Sequence, residues 1–165
     1  MTSEPKIAVL MATFNGAPFL EEQLHSIASQ EITGVDVWAS DDGSTDNTLE
    51  ILQCWGARWN KGVFRIKLGP KEGYVENFRR LIITASVGDA YVAFSDQDDI
   101  WDFDKLSHAV WQLGAVGPRA PAMYCGRTRL VTKDGYERGM SPCSLDNQGS
   151  GTQSSKVWQE ETRLC

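Results

Sequence analysis

Three carboxylates crowd four positions in the stretch FSDQDDIW, Phe94 to Trp101: Asp96, Asp98 and Asp99 follow directly on the apolar run AYVAF. Acids packed this closely repel one another, so something nearby must make the negative charge tolerable. Asp96 and Asp98 are two residues apart. An extended backbone would turn both to one side and Asp99 to the other. Two carboxylates on one side make a hard-oxygen site suited to Mg2+ or Mn2+, and so few protein ligands leave positions open for phosphate oxygens. The competing account is that these acids cap the following helix, where negative charge is favourable, and it suits Asp99 better than Asp96.

Rival motifs fare less well. A calcium EF-hand needs Gly at the sixth loop position, which counted from Asp96 is Trp101. No GxxxxGK[ST] occurs, and Gly149-Ser-Gly151 lies too far from an expected strand to be a dinucleotide fingerprint. A phosphatase of the haloacid dehalogenase type also carries DxDx after a strand and would use Asp96 as nucleophile. Only the scattered Asp102, Asp104, Asp134 and Asp146 follow as further acids, which leaves it the weaker alternative. Cysteines 54, 125, 143 and 165 show no CxxC and no short pairing with His25 or His108, arguing against zinc and against a disulfide framework.

The chain that must position these acids has 165 residues, enough for one domain with a real core. Apolar content of 41% and six tryptophans read as globular. A formal charge of −6 argues against nucleic acid as a partner, and an anionic ligand would need a cation as mediator. MTSEPK has no signal-peptide pattern, and the longest clean apolar run, Ile7–Ala12, is far too short to span a bilayer. The expectation is a soluble cytoplasmic chain, with peripheral membrane attachment left open.

Segments of two periods alternate along it. KIAVLMA (6–12) is a continuous apolar run, as a strand covered on both faces should be. Leu20, Leu24, Ile27 and Ala28 then share a helical face, with Pro18 in the first turn. VDVWAS (35–40) is a second strand, followed by a helix with Asn47 as N-cap and Glu50 as its N3 partner. VFRIKL (63–68) alternates, with Phe64, Ile66 and Leu68 on one side; Val75, Phe78, Leu81, Ile82 and Ala85 trace a helical stripe. AYVAFS (90–95) is another buried strand, and Leu106, Ala109, Val110 and Leu113 form a helix. PAMYCG (121–126) and RLVTKDGYE (129–137) read as strands with an Asp134-Gly135 turn. The alternation predicts an α/β fold with a mainly parallel sheet, strands near 6–12, 35–40, 63–68, 90–95 and 121–126. The domain is expected over 1–141; residues 142–165, rich in Ser, Gln, Asn and Gly without apolar period, read as an irregular tail. Ligands of parallel sheets gather at the carboxyl ends of the strands, where TFNG, DDGSTD and DQDD fall.

ATFNG (12–16), SDDGSTDNT (40–48), GYVENF (73–78) and FSDQDDIW (94–101), in that order, resemble the donor-binding half of family 2 glycosyltransferases with the GT-A fold. The phrase FSDQDDIWDFDKL is similar to the bacterial rhamnosyltransferase-like branch, and the resemblance covers roughly residues 6–140. It implies a nucleoside-diphosphate sugar, UDP- or dTDP-linked, as donor, and a polysaccharide, glycan or lipid-linked acceptor. It places Thr13, Phe14 and Asn15 against the base, where Phe14 offers a π-face for stacking. It gives Asp42 the pyrimidine imide N–H, which a carboxylate acceptor selects over bases lacking that donor. Asp96 would lie near the ribose and sugar, Gln97 is counted among the donor-binding residues, and Asp98, with Asp96, would hold an Mn2+ or Mg2+ that bridges the diphosphate. Gly73 and Asn77 match the segment beside the donor. Arg79 and Arg80 are diphosphate candidates for which a solvated helix face is at least as good an account.

The implied reaction is inverting transfer. The leaving diphosphate gains charge that the metal offsets, and a carboxylate base takes the acceptor's proton. In the family that base is an aspartate well after the DxD strand. Here Asp134 and Asp146 stand in no recognisable context, so no residue is assigned to it. Two classes of function follow: an inverting glycosyltransferase, and a nucleotide-sugar binding module without transfer activity.

Overall fold

The computed structural model describes residues 5–88, 90–116, 121–126, 128–131, 137–140 and 156–159. The chain divides into two units between Val110 and Trp111. In the first, strands β1 (Ile7–Thr13), β2 (Val35–Asp41), β3 (Phe64–Leu68) and β4 (Tyr91–Ser95) form one sheet in the order β3-β2-β1-β4. All three pairings are parallel, with Ile7 opposite both Val35 and Tyr91. Helices α1 (Ala17–Ala28), α2 (Thr48–Arg58) and α3 (Tyr74–Thr84) make the crossovers, as parallel neighbours require. A fourth helix, α4 (Lys105–Gly114), follows β4.

Every residue of β1 is buried, because β1 is central and covered on both faces. On one face Val9, Met11, Val37 and Ala39 meet Leu20, Leu24 and Ile27 of α1 and Leu52 and Trp55 of α2. On the other, Ala8, Leu10 and Trp38 meet Leu81 of α3. Each fully buried aliphatic side chain contributes about 1.5–3 kcal/mol of transfer free energy. Among the described residues no helix is long and apolar enough to cross a membrane.

Several expectations need correction. The 121–126 strand exists as β5 (Ala122–Cys125), but it pairs antiparallel with β8 (Lys156–Gln159) in a separate two-stranded sheet. That partner lies inside the stretch expected to be irregular; the rest of 142–165 falls outside the described residues. Periodicity shows that a segment is extended, not which strand it will pair with. The expected strands on either side of 134–135 are present as β6 (Arg129–Val131) and β7 (Glu137–Met140), paired antiparallel, with β7 running on to Met140; the Asp134-Gly135 turn itself lies outside the described residues.

Of the stripe expected on α3, Leu81 is buried and Phe78 and Ala85 pack with it, but Val75 and Ile82 are exposed and the polar Asn77 is buried instead. Leu68 is exposed too, so only Phe64 and Ile66 of β3 pack on the core. Asn47 sits at the N-cap of α2 without a side-chain bond. Its neighbour Asp46 accepts from the Thr48 backbone N–H at 3.0 Å instead.

Candidate functional site

At the carboxyl end of the four-stranded sheet, the loops after β1, β2, β3 and β4 enclose a cleft of about 620 Å3. Ala12, Thr13 and Phe14 line it from β1, Asp42 and Gly43 from β2. Lys71, Gly73, Tyr74 and Asn77 come from the β3–α3 connection, and Asp96, Gln97 and Asp98 from the end of β4.

Buried Asp41 organises the first two loops. Its carboxylate accepts from the backbone N–H groups of Gly43 (3.2 Å) and Ser44 (2.9 Å) and from the hydroxyls of Ser44 (2.5 Å) and Thr13 (3.1 Å). Asn15, in the left-handed region at φ 48°, donates its N–H to Ser44 Oγ and accepts from Thr45 N–H through Oδ1. Asp46 closes the arrangement, accepting from the N–H of Ala17 as well as that of Thr48; its carboxyl lies below the ordinary range, chiefly through the Thr48 hydroxyl bond. This scaffold leaves the Phe14 ring 55% exposed at the cleft.

Asp42 is only 7% exposed and faces the β3–α3 loop. One carboxylate oxygen accepts from Lys71 N–H at 2.6 Å, the other from Gly73 N–H at 2.8 Å. Each oxygen keeps a second lone pair for a ligand. Asn77 is buried and committed to β2, donating to Ser40 O (2.8 Å) and accepting from Ser40 Oγ (2.5 Å).

The acidic loop is held from beneath by the polar side of α1. Buried Gln23 donates to Ser95 Oγ at 2.6 Å, and Ser26 Oγ accepts from Trp101 N–H at 3.0 Å. Gln30 takes Leu106 N–H on its oxygen and gives its amide to Asp102 O. Trp101 is buried in the core as the loop's anchor. Between the two acids, Gln97 makes a two-point amide contact with the Phe14 backbone: Phe14 N–H to Oε1 at 2.8 Å and Nε2–H to Phe14 O at 3.0 Å. Glycine at position 16 leaves room for this contact, because a Cβ there would displace the Gln97 amide.

The cleft therefore gathers Thr13, Phe14, Asp42, Gly73, Asn77, Asp96, Gln97 and Asp98, while Asn15 stands behind it as a scaffold residue. The extended picture of the acids fails. The chain bends at Gln97–Asp98, and Asp99 acts on Asp96 more strongly than Asp98 does. Asp96 is pushed above the usual carboxylate range, first by loss of hydration and then by Asp99 and Asp98. Arg79 and Arg80 lie outside the cleft lining and pair with Glu76 on the exposed face of α3. Lys71 and Tyr74 were missed. The rule that drew attention to the loops after the other strands applies equally to GPKEG after the third.

The donor set fits a hard divalent ion. Asp96 and Asp98 supply carboxylate oxygens at the cleft, and no cluster of three or more ligating side chains exists among the described residues. An ion held there keeps positions for ligand oxygens.

A family model for glycosyl transferase family 2 matches residues 8–144. The dTDP-rhamnosyl transferase RfbG of Shigella flexneri is 40% identical over 102 residues, which are 61% of this chain and 35% of that protein. Thus the chain spans about a third of that relative's length. The structure of S. aureus TarS 1–349 in complex with UDP-GlcNAc superposes with a TM-score of 0.67 at 22% identity, over 87% of this chain and 38% of that one. A mannosyltransferase from Pyrobaculum calidifontis in complex with GDP-Man and Mn2+ gives a TM-score of 0.66 at 26% identity, over 77% of this chain and 37% of that one. Its fold is accordingly of the GT-A type. With the family's model matched over most of its length and the four strand-end loops drawn into one cleft, this chain belongs to glycosyl transferase family 2.

Proposed function

We propose that this chain forms the donor-binding half of an inverting glycosyltransferase that moves a sugar from a UDP- or dTDP-linked donor to a polysaccharide, glycan or lipid-linked acceptor. The observation that carries this reading is the convergence of Phe14, Asp42 and the Asp96–Asp98 pair on one cleft. Likeness to a dTDP-rhamnosyl transferase supports dTDP-rhamnose as the donor to test first.

In this reading the exposed Phe14 ring stacks on the pyrimidine. Asp42, oriented by the Lys71 and Gly73 N–H groups, accepts the imide N–H with a remaining lone pair. Gln97 fixes the spacing between the base loop and the acidic loop. Asp98 and Asp96 would hold Mn2+ or Mg2+, which when bound supplies Lewis-acid stabilisation of a diphosphate leaving group. Incubation with Mn2+, dTDP- or UDP-sugars and simple acceptors, followed by nucleoside diphosphate release, tests the proposal. Release that depends on both acceptor and Asp98 is expected; no release and no donor binding would refute it.

One observation favours the second reading, a nucleotide-sugar binding module. The acids that line the cleft among the described residues are Asp42, Asp96 and Asp98; with all three given donor roles in the proposed reading, none is left there as base. Asp134 and Asp146 fall outside the described residues. Tight donor binding without release to any acceptor would select this reading.

A further inference from the structure

Lys71 is the one cation that lines the cleft among the described residues, beside three aspartates. Its backbone is left-handed, at φ 64°. That region favours Gly, Asn and Asp, and a lysine there carries strain that surrounding structure must hold. Two contacts hold it. Lys71 N–H donates to Asp42 Oδ1 at 2.6 Å, and the aliphatic stem of Lys71 lies over Gly43, where an added Cβ would fall 2.9 Å from Cε. Gly43 itself has φ 93° and so suits glycine on two counts. The ammonium has no hydrogen-bond or salt-bridge partner among the described residues. A turn former would not call for lysine at this position, and an unpaired cation beside Asp42 and Gly43 calls for an anionic ligand.

We infer that Lys71 binds the diphosphate of the donor directly, from the β3–α3 loop, and so makes the cleft select nucleoside diphosphates over nucleosides. The inference rests on the donor-site reading above. It divides the work on the diphosphate: the Asp96–Asp98 side acts through a divalent ion, whereas Lys71 acts by its own N–H donors. A lysine suits this role as a compact charge on a flexible stem, able to follow the phosphates as the sugar leaves.

The test is calorimetry in Mn2+ with four probes: uridine, UDP, thymidine and dTDP. Lys71→Asn removes the charge but suits the left-handed backbone, so ligand-free thermal stability should hold or rise. Lys71→Arg keeps the charge. The Asn variant is expected to bind both nucleosides as the parent does and both diphosphates about 10- to 100-fold more weakly, the span of one hydrogen bond to a charged group. The Arg variant should recover most of that loss. Equal losses for nucleoside and diphosphate, or none for either, would overturn the inference. If Lys71 served only to offset the aspartates, Lys71→Asn would raise Mn2+ affinity and leave the diphosphate-to-nucleoside ratio unchanged. A parent chain that binds none of the probes would overturn the donor-site reading and this inference together; a parent that binds them with an unaltered ratio in the Asn variant overturns only this one.

Discussion

At the residue scale, Asp42 combines two tasks in one carboxylate: it clamps the β3–α3 loop and presents an acceptor to the cleft. Asp42→Asn keeps the shape but turns an N–H donor toward the N–H of Lys71 or Gly73. Binding of UDP and dTDP should fall sharply, and stability should drop by about 1–3 kcal/mol for the unsatisfied group. Chemical denaturation and calorimetry on the same variant check both; a variant that keeps parental affinity would remove Asp42 from base recognition. Asp96 tests the opposite sign. Its carboxyl is raised by lost hydration and by Asp99 and Asp98, so its ionised form is worse off folded than unfolded. Its contribution is therefore full below the ordinary carboxylate value and is lost as pH climbs toward the raised one. At neutral pH in chelator, Asp96→Asn should melt higher than the parent, and in excess Mn2+ the order should reverse. An unchanged order in Mn2+ would place the ion elsewhere.

The elements show where sequence reading succeeds and where it stops. Apolar runs announced β1, β2 and β4, and their polar followers announced three of the four loops; burial on both faces explains the signal for β1, whereas β4, expected to be a buried strand, is an edge strand that leaves Val92 and Phe94 exposed. The buried polar side of α1 gave none. Gln23 and Ser26 on that side, with Gln30 just past the helix end, hold the acidic loop and the segment after it, yet an apolar period skips them. The burial of Asn77 on α3 went unread for the same reason, since it is made tolerable by Ser40, three elements earlier in the chain. The cap of α2 moved by one residue because the Asp46 carboxylate serves two helix starts, a tertiary fact. Asp46→Ala should consequently cost about 1–2 kcal/mol, toward the upper end for a single cap. Equilibrium unfolding measures it, and a loss of only a few tenths would mean that the Ala17 bond contributes nothing.

At the scale of the whole first unit, the β3-β2-β1-β4 order could not be read from the sequence, whereas the α/β class could. Strand order depends on long-range pairing that no local pattern encodes, and β5 reads like the other strands although it pairs in a different sheet. A ligand that binds only this assembled unit stabilises it by mass action. Mn2+ plus UDP or dTDP at about 100 times the dissociation constant should add about 2.7 kcal/mol. For a chain of this size that is a rise of roughly 5–10 °C in Tm. Thermal scans with metal alone, nucleotide alone and both together decide it; a shift for nucleotide that is identical in chelator would contradict a shared site.

The amide of Gln97 meets the Phe14 backbone across 83 residues of chain, whereas Thr13 meets Asp41 across only 28. Closing the longer loop carries the larger entropic cost, so β1 and β2 can zip before β4 arrives. During synthesis, a nascent chain could already hold the Asp41 hub while its acidic loop is still inside the ribosome. The cleft would then be among the last features to appear, and refolding experiments should recover most tryptophan burial before nucleotide affinity. A chaperone that shields the exposed β1 edge in that interval would protect the very strand at whose end the Phe14 ring projects into the cleft.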